Sequence, residues 1–180
     1  MKRVYVNEEW CLGCHLCEFN CAFANSGLSD MVLALKGKPI YPRIHVEEGD
    51  KIAYAVSCRH CEDPMCVKSC IAGAITKGTG TSVESGSKKR SRSNPDCKEE
   101  NGVVRIDSDK CVGCYTCILV CPYGALAPGE SGAMQKCELC LQNSCGEPAC
   151  AKGCPNNAIV YEDRSPKNTV IDDAANPACF

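Results

Sequence analysis

The sequence holds no run of eighteen apolar residues, so no segment reads as a membrane-spanning helix. Met1 to Trp10, MKRVYVNEEW, has neither an apolar centre nor a small-residue cleavage site, and no twin arginine occurs. A reducing, cytoplasmic setting is therefore expected, although a subunit exported with a signal-bearing partner would need no signal of its own. Also missing are a G-x-G-x-x-G after a strand, a phosphate-binding P-loop, a nucleophile elbow and a histidine-based metal set. The C-x3-C-x2-C spacing of radical enzymes that use S-adenosylmethionine is absent as well. These absences leave no substrate pocket built by the chain alone. The net charge of −2, from 20 basic and 22 acidic residues, points to neither nucleic acid nor an anionic membrane. Long apolar side chains are scarce: the 44% hydrophobic share counts cysteine, and about 60 residues remain without it. That is a thin core for 180 residues.

Cysteine is what the chain has, nineteen times. Cys111, Cys114, Cys117 and Cys121 stand at C-x2-C-x2-C-x3-C with Pro122 next, the bacterial-type run that holds a [4Fe–4S] cluster. Three thiolates within seven residues can wrap one cubane only if the backbone curls tightly, and Gly113 supplies a position free of Cβ restrictions. The fourth cysteine lies beyond the curl and in two-cluster ferredoxins binds the other cluster. One such run therefore implies another. Cys11, Cys14, Cys17 and Cys21 repeat the spacing, with Gly13 inside and Ala22 in place of the proline. Cys58, Cys61, Cys66 and Cys70 follow with two extra residues before the third cysteine. Cys137 and Cys140 open a fourth set that Cys150 and Cys154 close as C-x3-C-P. Cys145 is the alternative third member of that set; Cys150 is preferred because it preserves the x3 spacing. Cys97 and Cys179 have no neighbour at ligand spacing. Four [4Fe–4S] clusters are the expectation. Zinc is the competing reading, but zinc sites usually take two cysteine pairs a dozen or more residues apart, whereas two sets here compress four cysteines into eleven residues. With metal-binding cysteines in its interior, the chain would be unfolded or molten without metal.

Apolar, β-branched runs at Lys2 to Val6, Lys51 to Val56 and Val103 to Asp107 predict strands that lead into the first three sets. After the last cysteine of three sets comes a recurring return strand: Gly73, Ala74, Ile75; then Gly124, Ala125, Leu126; then Asn157, Ala158, Ile159. This is an internal repeat of strand, cysteine loop, short helix and strand, which the first set lacks. The span 22–50 reads as a loop-rich insertion with one helical turn near Asp30 to Leu35. The span 76–101, with basic residues Lys88, Lys89, Arg90 and Arg92, reads as a solvated loop. His15 and His60, inside cysteine loops, read as ordinary loop histidines or as groups that tune a cluster; His45 has no evident partner. Lys110 and Lys136 precede the first cysteine of their sets, as solvated lysines or as charges that raise a local potential.

CRHCEDPMCVKSC from Cys58 and GEPACAKGCP from Gly146 resemble the signatures of four-cluster ferredoxin-like electron-transfer subunits. That group comprises the beta subunits of molybdopterin oxidoreductases and formate dehydrogenases, the iron–sulfur subunits of formate hydrogenlyase and the ferredoxin-like partner of CO dehydrogenase. CIAGAI from Cys70 looks most like the last of these. The resemblance covers Val4 to Tyr161 and implies an α+β fold of two ferredoxin-like lobes, with small antiparallel strands and short helices around the clusters. Residues 1–50 plus 131–162 would form one lobe, 51–130 the other, and 163–180 a surface tail. It also implies ligand exchange. Cys11, Cys14 and Cys17 would share a cluster with Cys154; Cys58, Cys61 and Cys66 with Cys121; Cys111, Cys114 and Cys117 with Cys70; and Cys137, Cys140 and Cys150 with Cys21. The implied function is relay of electrons between a catalytic subunit and a second redox partner. The catalytic subunit would be a CO dehydrogenase, formate dehydrogenase, aldehyde oxidoreductase or hydrogenase, and the other partner a flavoprotein or second redox subunit. A free, diffusible polyferredoxin is the alternative.

Overall fold

The computed structural model describes residues 2–36, 40–50, 52–78, 102–141, 143 and 147–164. Among the described residues eight short strands pair as four separate antiparallel couples. β1 (Arg3–Val6) pairs with β8 (Ile159–Glu162), with Val4 opposite Tyr161 and Val6 opposite Ile159, so near-terminal segments of the chain meet. β2 (Ile44–Glu48) pairs with β3 (Ala53–Ser57), β4 (Ile75–Lys77) with β5 (Val104–Ile106), and β6 (Leu126–Pro128) with β7 (Met134–Lys136). None of these ribbons could stand alone in water. Each is held by the helices and the core beneath it.

Among the described residues five α-helices lie between the strands, with a 3-10 turn at Glu8–Trp10. α1 (Leu16–Ser26) packs on α5 (Ala149–Lys152), and α3 (Met65–Lys68) packs on α4 (Thr116–Leu119). α2 (Met31–Lys36) leans on α1. The α1–α5 approach is close because Gly153 has no side chain: a Cβ there would lie 2.1 Å from Asn20 Nδ2. Two buried clusters result. One gathers Val4, Ile44, Ala55, Val103, Leu139, Leu141 and Ile159 with Cys17, Cys21, Cys137 and Cys150. The other gathers Ile75, Val104, Leu126 and Met134 with Cys117, and Cys66, Cys70, Cys111 and Cys121 pack against it.

The strand–loop–helix–strand repeat is present after the second, third and fourth sets. In each, a residue with positive φ accepts the turn: Gly73 (59°), Gly124 (60°) and Asn157 (49°). Each donates its N–H to the carbonyl of the set's last cysteine, at 3.1, 3.3 and 3.3 Å. A buried alanine and a buried Ile or Leu then start the strand. After the first set the chain does otherwise. AFANS carries no helix breaker, so α1 runs on past Cys21 until Gly27 (φ 71°) ends it. The insertion is accordingly more ordered than its sequence suggests: besides the helix near residue 31 it holds the end of α1 and all of β2. The basic cluster at 88–92 and residues 165–180 of the tail lie outside the described residues, as do Cys97, Cys145 and Cys179.

Candidate metal centres

All four cysteine loops bend at the same place. The residue before the second cysteine is left-handed in each: Gly13 (64°), His60 (46°), Gly113 (66°) and Leu139 (57°). Two are glycines, the natural occupants. The other two carry side chains that are 0% exposed, so burial of His60 and Leu139 compensates a conformation that costs about 1–3 kcal/mol. At Gly113 a side chain would be tight, because a Cβ would meet the Gly132 carbonyl oxygen at 3.0 Å.

The curls bring sulfurs together from distant parts of the chain. Cys70 shares the wall of a small pocket with Cys111, Cys114 and Cys117, although about forty residues separate it from them. Cys21 lies with Cys137, Cys140 and Cys150: burial first, then the charges of Cys137, Cys21 and Cys140, pushes the Cys150 thiol up. Burial likewise takes Cys137 up to about 12, against the Leu139 N–H and the Lys136 charge. Cys66 is raised by burial, then by Cys58, and also by Cys121. Cys17, beside Cys11 and Cys14, is pushed up to about 11, chiefly by burial. Cys154 packs on the core that contains Cys17, and Cys61 follows Cys58 in its loop.

Backbone donors already point at several of these sulfurs. The N–H groups of Arg43, Met134, Leu139 and His60 lie 3.3, 3.3, 3.4 and 3.5 Å from the Sγ atoms of Cys21, Cys111, Cys137 and Cys58. The Thr116 hydroxyl donates to Cys114 at 3.5 Å and lowers its pKa. Such donors favour the thiolate. Among the described residues no three His, Cys, Asp or Glu side chains converge tightly enough to hold one ion.

Charges near the sulfurs are not where the sequence alone places them. Lys110 is a surface lysine, 3.6 Å from Asp107. Lys136 is 2% exposed, and its ammonium donates to the Cys137 carbonyl at 2.8 Å, so the solvated reading is wrong for this residue. His15 is exposed and held by Glu18 (2.7 Å) and Glu48 (3.2 Å), which raise its pKa in that order. His60 is buried; its Nδ1 accepts from the Val104 N–H at 3.1 Å, which puts the proton on Nε2, and Nε2 has no partner. Burial, then the Lys136 charge, pushes its pKa down to about 2. Arg43, from the insertion, reaches Glu138 at 3.4 Å. Neither residue carries a signal in the sequence, because both act across contacts distant along the chain.

Residues 103–126 match the 4Fe-4S binding domain family. Over 176 aligned residues the chain is 34% identical to an iron-sulfur protein of Rhodospirillum rubrum, covering 89% of this chain and 81% of that one. The chain belongs to the [4Fe–4S] ferredoxin-like electron-transfer family. This ferredoxin-like protein is also 30% identical over 180 residues to the electron transport protein HydN of Escherichia coli K12, covering 91% and 89% of the two chains. A sulfite dehydrogenase subunit of Allochromatium vinosum is 31% identical over 175 residues, covering 85% of this chain and 65% of the relative. The all-sulfur donor sets, the N–H groups aimed at sulfur and the unpartnered Nε2–H of His60 fit the iron–sulfur clusters of such a ferredoxin-like protein. Small antiparallel strands and short helices are its framework, and among the described residues no helix is long and apolar enough to cross a membrane.

Proposed function

We propose that this chain is a four-cluster electron relay in two ferredoxin-like lobes, one built on the first and fourth cysteine sets and the other on the second and third. Each bound cluster would take up and release one electron; the chain's own work is to hold the sulfurs, exclude water and set the order of the sites. The observation that carries the proposal is the company of Cys21 and Cys70. Each leaves its own loop and lies among three cysteines of a distant set, as ligand exchange requires. The β1–β8 and β4–β5 ribbons, with the α1–α5 and α3–α4 pairs, support a division into two lobes.

The exposed cysteines give the relay its ends. Cys14 and Cys114 are exposed, while Cys137, Cys140 and Cys150 are buried. Cys66 lies near enough to Cys117 for its charge to act on it, and the Lys136 charge acts on both Cys66 and Cys137 of the fourth set. The order of sites is therefore first, fourth, second, third. Apolar side chains lie bare at both ends: Leu12 and Leu16 beside Cys14, and Ile71, Val112, Tyr115 and Leu119 around Cys114. These are surfaces for two redox partners, one a catalytic oxidoreductase subunit, a role in keeping with the names of relatives such as the sulfite dehydrogenase subunit. The bare ends favour a bound subunit over a free carrier.

Iron and acid-labile sulfide should each approach about sixteen per chain, four per cluster. Saturation near eight would overturn the four-cluster assignment. Cys121→Ser is expected to damage the cluster on the second set and spare the one on the third, read by EPR of the reduced protein; loss of the third-set cluster alone would refute the exchange.

A further inference from the structure

Among the described residues Lys136 is a buried cation without an anion. It ends β7 with 2% of its surface exposed, and its one hydrogen bond, to the Cys137 carbonyl, uses one of three ammonium donors. Among the described residues no carboxylate pairs with it. A backbone carbonyl does not offset the desolvation of a buried ammonium, which is retained only where an opposite charge accompanies it. The charges of Lys136, Arg3, Arg105 and Lys77 all act on His60 in the same sense, and the buried Nε2–H of that ring also lacks an acceptor. A donor and a cation, both interior and both unmatched, define a place that needs negative charge.

The geometry supplies two candidates for it. The hydrogen bond to the Cys137 carbonyl seats Lys136 against the fourth set, and its charge also acts on Cys66 of the second. Resting on the four-cluster reading above, we infer that Lys136 is an internal counter-cation shared by the clusters of the second and fourth sets, and that it raises the reduction potentials of both. Its position is where the proposed path passes from one lobe to the other. A positive charge there stabilises each cluster more in its reduced, more negative form, and a charge shared by both favours the electron on either side of that crossing. Because the site is buried, bulk salt screens it little. Lys136 is thus a positioning residue for charge; it binds no iron itself.

The test uses the full chain, reconstituted anaerobically, with wild-type iron and sulfide measured first. A wild-type protein short of four clusters sinks the relay reading itself, whatever the lysine does. With four clusters present, Lys136→Gln is expected to keep its iron and to lower two potentials, those of the clusters that Cys66→Ser and Cys150→Ser perturb. Each should become about tenfold harder to reduce at fixed poise, a shift of about 59 mV for one electron. The other two should stay in place, and Lys136→Arg should restore the wild-type values. If Lys136→Gln loses iron while Lys136→Arg keeps it, the positive charge is required for the clusters to assemble, which also supports the inference. Unchanged potentials in an iron-replete Lys136→Gln protein, or loss of iron in both variants, would overturn it.

Discussion

At the residue scale the cysteine loops turn on a single backbone position, and the four occupants of that position differ in how openly they declare it. Gly13 and Gly113 are legible in the sequence, since a glycine between two ligands suggests a tight curl. His60 and Leu139 are not: a histidine and a leucine advertise no left-handed backbone, and only their complete burial accounts for it. The same holds for Lys136, whose burial depends on packing that no local pattern encodes. Gly113→Ala separates the cost of the curl from the chemistry of the sulfurs. The new Cβ meets the Gly132 carbonyl, which is backbone and cannot give way cheaply, and its φ of 66° is already unfavourable for alanine. A loss of about 1–3 kcal/mol in the stability of the holoprotein is expected, measured by denaturant unfolding under anaerobic conditions. Gly124→Ala, with open space around the same Cβ direction, should cost less.

Among the elements, the repeat after three of the four sets is readable because it rests on local chemistry: a turn residue, an alanine and a branched apolar residue in fixed order. The departure after the first set is readable only as an absence. What replaces the repeat, a helix that runs on through Ala22, depends on burial of that residue at 3% exposure and on packing against α5. β2 is illegible for a related reason, since its pairing with β3 and its packing on α1 come from parts of the chain outside it. The position after the fourth cysteine can therefore be tested in two contexts. Ala22→Pro places a proline inside α1 and should destabilise the protein by about 3 kcal/mol or more. Pro122→Ala, on an exposed turn, should change stability by no more than about 0.5 kcal/mol. Thermal unfolding followed by far-UV circular dichroism distinguishes them; equal effects would mean that α1 does not extend past Cys21.

For the whole molecule, the cysteines do what long apolar side chains do elsewhere. Each of the two cores is built around them, so iron removal should abolish cooperative unfolding and leave a protease-sensitive, partly collapsed chain. Chelation under reducing conditions, followed by limited proteolysis, checks this. pH acts on that metal-free chain in a defined sense. With Cys137 pushed up to about 12, the folded form keeps a proton that the unfolded form releases near the ordinary thiol value of about 8.5. Whatever residual structure survives is therefore fully supported below about pH 8.5 and is lost as pH rises toward 12. A metal-free chain that gained structure on going from pH 7 to pH 10 would contradict the buried placement of these thiols.

The pairing of β1 with β8 also constrains how the molecule can be made. A ribosome releases Arg3–Val6 long before any of Ile159–Glu162 has been synthesised, so the earliest strand waits for nearly the last. During that interval Cys11, Cys14, Cys17 and Cys21 belong to an unfinished chain and must be kept from oxygen and from one another. The β4–β5 ribbon closes sooner, because both of its strands emerge earlier. Maturation is thus expected to proceed from the centre of the polypeptide outward, and a translation arrest shortly before Ile159 would leave a half-built protein whose outermost sulfurs have nothing to close upon.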